Sequence, residues 1–546
     1  MAKLIIHCDY CKKPLQQLSS LRLSETSDLV SYKCGHSYIE TRSAKLDVHK
    51  IDLRSVDGRH TARDYQVDGI QFIIDSGFNC IIGDKQRLGK TPQSLLGLRV
   101  AMEKKLAGAP CLIIVGGANL WQWIGEHQHW VTAEPDGIYP IIGSKSFIPP
   151  GFKTYIISRD TFSKGDVAKR IAALKPGMCI VDEAHNFKNT ASNRSQALVE
   201  FLRSLDEQEY EDSESVGGIR TQVLKTKSSC GKILLTGTPI LNRADEYFIP
   251  LNLVAPKVFP SLETFRRTWC EKDEKGRYAR INPYRLDRFK EAIAPYYLRR
   301  EWEDVYKEIP KQNRMFTMIT IEDATLKQLY NQILDQMDID IAAGKSSWAD
   351  QQENLMQLRK IAGLAKAKFV ANLIEVGLDD DSRQKYAIGI HHYMVRDLLK
   401  LQLAQYGVVK IDGADSAERK FEIMNSFREA PERVITMNTT AVREGMDFLY
   451  IENVIIVERG WNSAMEEQFE CRFFNPDAQI MLDRGLKDKV TNYEYIVAKG
   501  TIDEFYWYDM IEQKRQIFGE TVQNNWDISD PDTFKQLLER TTSNRL

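Results

Sequence analysis

Apolar residues fall into two rhythms along this chain. The short runs Cys80–Ile82, Cys111–Val115, Tyr155–Ser158, Met178–Val181 and Lys232–Leu235 are separated by stretches with helical spacing. Runs this short and this apolar suit strands buried on both faces, and their alternation with helices argues for a doubly wound parallel sheet. Near residue 256 the rhythm changes. From there to about 380 helical periodicity dominates, and Leu326, Leu329, Ile333 and Met337, spaced by three and four, predict a core-facing stripe. The strand rhythm returns at Tyr386–Ile390, Val408–Ile411, Val434–Met437, Val454–Val457 and Tyr493–Val497, which predicts a second α/β lobe. The expected organisation is a small module at 1–50, a first lobe at 51–255, a helical brace at 256–380, a second lobe at 381–520 and a tail at 521–546.

One segment interrupts the first lobe. Asp206, Glu207, Glu209, Glu211, Asp212 and Glu214 crowd together before Gly217-Gly218, with Arg220, Lys225 and Lys227 following. This composition reads as a solvated surface insertion.

At 546 residues the chain is long enough for three or four domains, and 43% hydrophobic with 27% charged residues is ordinary for a protein with a large core. The formal net charge of −2 means that any grip on nucleic acid has to come from local basic surface. The N-terminus carries no signal-peptide pattern, and no apolar run approaches the roughly 20 residues of a membrane helix. An intracellular, cytoplasmic protein without a membrane partner is expected.

Candidate chemistry gathers at the ends of the apolar runs. Asp182-Glu183-Ala184-His185 directly follows Met178–Val181, and the carboxyl ends of parallel strands are where open α/β sheets hold ligands. Upstream, Gly83 to Thr91 follows a strand and opens a helix, so its backbone N–H groups can cradle phosphates. Lys90 is placed to reach the β and γ phosphates, Thr91 and Asp182 to hold Mg²⁺, and Glu183 to orient or deprotonate a water. Downstream lies Leu235-Thr236-Gly237-Thr238-Pro239. The three occur in the order that an ATP-driven nucleic-acid motor needs.

The first module has chemistry of another kind. Cys8-x-x-Cys11 is followed by Cys34-Gly35-His36, a set of three thiolates and one imidazole suited to structural Zn²⁺, with His7 a competing ligand. So small a module has little core, and the metal would supply folding energy. Whether it binds nucleic acid, binds protein or braces its neighbour is left open by the spacing.

Taken together, these residues resemble the superfamily-two, Swi/Snf-type helicase-related ATPases over roughly residues 60 to 520. Arg63-Asp64-Tyr65-Gln66 is similar to the family's adenine-reading segment, which implies a base contact for Gln66. Asp84 through Thr91, with Gly89, Lys90 and Gln93, resembles its motif I, and Leu112–Val115 with Ala118, Leu120 and Trp123 its motif Ia along DNA. Leu235 to Arg243 resembles motif III, and Leu298-Arg299-Arg300 the element before the second lobe. In that lobe the likeness is to annealing-helicase-like members. It rests on Ala387–His392, on Ile411-Asp412-Gly413 with Ser416–Arg419, and on Thr440-Ala441 with Gly445-Met446. It extends to Trp461-Asn462 with Gln468 and Arg472, and to Ala498–Glu504. The resemblance implies two RecA-like lobes, ATP bound between them, Gly445 near the nucleotide, and Arg472 reaching the phosphates.

Three residues depart from the family pattern. Arg87 replaces a motif I glycine, which requires that its backbone avoid a glycine-only conformation, and Lys85 replaces the motif's acid. Asn475 stands where an outer arginine should stabilise γ-phosphate charge, with Arg87 a candidate substitute.

The resemblance implies sequence-independent contacts to DNA phosphates. The candidates are Gly117, Ala118 and Asn119 in the first lobe and His391, His392, Thr439 and Thr440 in the second, the histidines serving equally well as packing. Trp461 is a core or DNA-edge residue, while Trp121, Trp123 and Trp130 read as packing. The leading expectation is an ATP-dependent translocase on double-stranded or forked DNA in replication, repair or recombination, from a bacterium or bacteriophage. The alternatives are a strand-separating helicase and an ATP-gated DNA-binding scaffold that hydrolyses weakly. Protein partners are not readable.

Overall fold

The computed structural model describes residues 46–187, 193–206, 230–237, 244–272, 278–343, 348–439, 441–442, 446–460 and 463–505, and the backbone of three strands between 17 and 41. Those three, β1 (Gln17–Ser24), β2 (Ser27–Tyr32) and β3 (Ser37–Thr41), form an antiparallel sheet in that order. The proposed zinc ligands Cys8, Cys11, Cys34 and His36 lie outside the described residues, as do Gly445, Thr440, Trp461 and residues 207–229 and 238–243.

The first lobe is a seven-stranded parallel sheet. Its strands are β4 (Asn79–Ile82), β5 (Cys111–Val115), β6 (Ile138–Ile141), β7 (Thr154–Ser158), β8 (Met178–Val181) and β9 (Gly231–Leu235). After the antiparallel hairpin β10 (Cys270–Lys272) and β11 (Tyr278–Ile281), the short strand β12 (Tyr297–Leu298) completes it. The spatial order is β12-β4-β9-β8-β5-β7-β6. Strands β5, β7, β8 and β9 are buried along their whole length, because apolar clusters cover both faces. The helices α1 (Asp64–Asp75), α2 (Lys90–Glu103) and α3 (Leu120–Trp130) contribute to one of those clusters.

The second lobe is a six-stranded parallel sheet of β13 (Gln312–Ile319), β14 (Tyr386–Ile390), β15 (Val408–Ile411), β16 (Val434–Asn438), β17 (Asn453–Ile456) and β18 (Thr491–Ala498). Its order is β13-β18-β17-β14-β16-β15. Two α/β lobes are therefore present, as the apolar rhythm requires.

The stretch 256–380 divides between the lobes. Phe259, Phe265, Phe289 and Ile293 join the first core, and β12 pairs with β4. Strand β13 pairs with β18, and the long helix Trp348–Asp380 buries Ala367, Val370 and Ile374 against the second lobe. The stripe on helix Ala324–Ala342 is rotated from the expected one. Tyr330, Leu334 and Met337 are buried while Leu329 is 44% exposed. A helix advances about 100° per residue, and Tyr330 wins the inward position because its ring packs while its hydroxyl accepts the Ile502 N–H at 2.8 Å.

Candidate ATP site between the lobes

Strand order builds the site. Strands β4, β9 and β8 are neighbours, so the segments leaving their carboxyl ends lie side by side: the loop Gly83–Gly89, Thr236-Gly237 and Asp182-Glu183. The loop is bonded to β12 and the segment after it, since Gly83 N–H donates to Leu298 O at 2.7 Å and Lys85 N–H to Arg300 O at 2.9 Å.

Beneath the loop lies a closed network. Asp84 and Gln93 have 0% exposure. Gln93 Nε2 donates to Asp84 Oδ2 and to Leu88 O, both at 3.1 Å, and its Oε1 accepts from Arg300 Nη2 at 2.8 Å. Arg300 also pairs with both carboxylate oxygens of Asp84. These two residues hold the loop from below, so their influence on a nucleotide passes through the loop. Gly89 has φ 71° and caps α2, and a Cβ there would sit 2.2 Å from Gln66 Nε2. Only glycine fits both the left-handed backbone and that contact. Gln66 Oε1 accepts the Arg63 backbone N–H at 3.0 Å, which anchors the start of α1 beside the loop.

Above the loop are the charged groups. Lys90 Nζ donates to Asp84 O at 2.8 Å, folded back on carbonyls that carry partial negative charge. Burial lowers its pKa, opposed by Glu183, Asp84 and Asp182. Asp182 accepts the Glu183 N–H at 3.0 Å and the Trp123 indole N–H at 3.1 Å. His185 Nδ1 lies 3.1 Å from Glu183 Oε2 and 3.1 Å from Thr236 Oγ1, joining the strand ends of β8 and β9. Burial works to raise the Glu183 pKa, but His185, Lys90 and Arg159 outweigh it and hold the carboxyl at about 2. Glu183 is therefore ionised and can accept a hydrogen bond from water. Its φ of 48° is unusual for a non-glycine residue and is the kind of strain stored at functional sites.

The cleft fits a magnesium-bound nucleoside triphosphate. Gln86 has its side-chain amide buried with no hydrogen-bond partner among the described residues, and a Cβ on Gly237 would lie 3.1 Å from Gln86 Cγ and 3.3 Å from Lys90 Nζ. An unpartnered amide beside a lysine and a helix N-terminus suits phosphate oxygens. Thr91, at the start of α2, and Asp182 supply the hard oxygens that Mg²⁺ prefers.

Several expectations change. Arg87 does adopt the left-handed backbone, with φ 70°. Its guanidinium extends into the second lobe, where Nη2 meets Asp447 Oδ1 at 2.5 Å and Nε donates to Cys471 O at 2.9 Å. It is thus engaged away from the cleft and does not serve as a substitute finger in this state. Asn475 turns inward, its Oδ1 accepting the Asp477 N–H at 3.0 Å, and Arg472 Nε donates to Gln468 O at 3.0 Å.

The DNA-facing candidates are mixed. Glu458 accepts both the His391 and His392 backbone N–H groups at 2.8 Å and meets His392 Nδ1 at 2.5 Å. These histidines brace the β14 loop, and burial lowers His391 to about 4. Thr439 is also buried, whereas Gly117 is exposed. Trp121 is 56% exposed, so it is not packing, while Trp123 is both buried and an Asp182 partner. Sequence reasoning missed that second role because an indole N–H finds its partner through tertiary structure. It placed Arg299 in the segment before the second lobe but likewise gave no sign that it donates to Gly83 O and Gly237 O, at 3.1 and 3.2 Å.

Comparison with known proteins places this geometry. The SNF2-related domain model matches residues 65–206 and 215–365, and the helicase conserved C-terminal domain model matches 366–474. The chain is 24% identical over 504 residues to the SWI/SNF-related matrix-associated actin-dependent regulator of chromatin subfamily A-like protein 1 of Xenopus tropicalis, covering 90% of this chain and 48% of that protein. It is 23% identical over 477 residues to the DNA annealing helicase and endonuclease ZRANB3 of Mus musculus, covering 84% and 40%. The chain thus spans about half the length, or less, of these relatives. The Sulfolobus solfataricus SWI2/SNF2 ATPase core in complex with dsDNA aligns over 91% of this chain and 99% of its own at 17% identity, with a TM-score of 0.41. With more than half its residues inside one family model and the helicase C-terminal model following directly, the chain belongs to the SNF2-related family.

Proposed function

We propose that the chain is a DNA-dependent ATPase that moves along double-stranded or forked DNA in replication, repair or recombination. The observation that carries this is the convergence of Lys90, Asp182 and Glu183 at adjacent strand ends, with second-lobe residues directly across the phosphate loop. Lys90 binds the β and γ phosphates, Thr91 and Asp182 hold Mg²⁺, and Glu183 orients the attacking water. Arg472 lies on the facing lobe. ATP and its metal would bind between the lobes and add to the contacts across the cleft, hydrolysis would remove that addition, and two grips on DNA phosphates would move relative to each other. The grip is sequence-independent, because a motor has to pass over every base. The names of the relatives, an annealing helicase among them, support rewinding or remodelling of forked DNA over strand separation.

The zinc module is part of the proposal. Its support is the Cys8, Cys11, Cys34 and His36 spacing around a three-stranded sheet, and one equivalent of zinc in the purified chain, lost in a Cys34→Ala variant, is expected.

The test of the motor is ATP hydrolysis measured with no DNA and with single-stranded, double-stranded and forked DNA, beside a Glu183→Gln control. Stimulation by duplex or forked DNA, abolished in the control, is expected. Stimulation by single strands alone favours a strand-separating helicase. Turnover no higher than the control, with DNA binding still altered by ATP, leaves only a gated scaffold.

A further inference from the structure

We infer that the phosphate loop of this chain is itself the strut that holds the two lobes together before nucleotide arrives, and that Arg87 is its principal positioning residue. Both residues that depart from the family's motif I pattern within the loop reach the other lobe. Arg87 Nη2 lies 2.5 Å from Asp447 Oδ1, and Nε and Nη2 both donate to the Cys471 carbonyl. Lys85 Nζ lies 3.0 Å from Glu301 Oε2, 3.9 Å from Glu467 Oε1 in the second lobe and 4.4 Å from the Trp302 ring. A glycine and an acid, the residues of the family pattern, could make neither cationic bridge.

The side chain between them and the start of the helix is equally committed. Leu88, with 0% exposure, packs in one cluster with Trp302 and with Cys471 and Phe474 of the second lobe. Trp302 donates its indole N–H to Gln86 O at 2.7 Å, so the same cluster also grips the loop backbone. Loop tip, the Trp302 segment and the Cys471–Phe474 segment of the second lobe thus form one body. The left-handed backbone at Arg87 costs free energy that a glycine would not lose, and that cost is offset by a charge-assisted fork onto a half-buried carboxylate and a carbonyl. Asp447 lies within the field of Arg472 and Arg484 as well, so the loop and the Arg472 segment share one anion.

The consequence is a resting state that is already closed. In a chain with Asn475 in place of the outer arginine, cross-cleft alignment then comes from the loop and not from the facing lobe. The role of that alignment in hydrolysis rests on the proposed ATPase reading, whereas the closed resting state does not.

Small-angle scattering of the full chain without nucleotide tests it. The wild type is expected to scatter as one compact form. Arg87→Asp, which tolerates a left-handed backbone, places two carboxylates together and is expected to shift the closed–open equilibrium toward open by about 5- to 150-fold, the usual range of coupling between sites. Arg87→Gly, which relieves backbone strain, is expected to open it as well, and remains informative if the aspartate variant folds poorly. Pairing Arg87→Asp with Asp447→Arg restores the bridge with reversed sign and is expected to recover the compact form. Loss of loop shape alone cannot be rescued in this way. Unchanged scattering in Arg87→Gly and Arg87→Asp, or no recovery in the reversed pair, overturns the strut. If scattering follows the expected pattern while no DNA stimulates hydrolysis, the strut stands and the motor reading fails.

Discussion

At the scale of single residues, the most consequential contact is the indole N–H of Trp123 on Asp182. Asp182 is the proposed metal-side carboxylate, and its two oxygens are each fixed by a donor, the Glu183 N–H and Trp123 Nε1. Groups that orient a ligand from behind are worth about 10- to 100-fold in metal affinity or activity when removed. Trp123→Phe keeps the buried ring and removes only the donor. Its expected effect is a fall in DNA-stimulated ATPase of that size at limiting Mg²⁺, largely regained as Mg²⁺ is raised. A uniform loss at every Mg²⁺ concentration would mean that the indole acts through packing alone.

At the scale of elements, most of the fold was legible because buried parallel strands leave short apolar runs that few other structures produce. The runs at Cys111–Val115, Met178–Val181 and Tyr386–Ile390 coincide with β5, β8 and β14. Strands β6 and β12 left no such mark. The first is only half-buried and carries Pro140, and the second is two residues long, set by pairing with β4 more than by its own sequence. The phosphate loop was legible in position but not in conformation, since φ at Arg87 depends on Asp447 and Cys471, which come more than 350 residues later.

The turn that leads into β18 is another junction invisible to periodicity. Lys489, 6% exposed, donates to Phe473 O at 2.7 Å and to Thr491 Oγ1 at 3.0 Å, pinning that turn to β18. Burial, only partly opposed by Glu452, pushes its pKa down to about 7. The unfolded chain therefore binds the proton more tightly than the folded one between pH 7 and the ordinary lysine range. The cost of burying the charge is full below pH 7 and is relieved as pH rises, to at most roughly 5 kcal/mol. Chemical denaturation at pH 7, 8 and 9 is expected to show the wild type gaining stability relative to Lys489→Met at each step. A difference that stays flat would place the proton elsewhere.

At the scale of the whole molecule, the charge balance constrains the proposed hold on DNA. Lys and Arg number 74 against 76 Asp and Glu, so the chain as a whole does not attract a polyanion. Several cations are also already committed: Arg87 and Lys85 to the interlobe contact, Arg300 to Asp84, Arg459 to Glu466, and Lys366 to Asp503. A phosphate grip would then use exposed lysines and arginines on the two lobes, and each phosphate neutralised would release counterion. The duplex concentration giving half-maximal ATPase stimulation is expected to rise with salt on a log–log plot, the affinity falling with a slope of about −0.9 per phosphate contact. Two grips of at least two phosphates each imply a slope steeper than about −3. The slope should be the same for duplexes of unrelated sequence, because phosphate contacts carry no base information. A slope near zero, or one that changes with sequence, would mean that bases or DNA ends, and not the backbone, are what the two lobes hold.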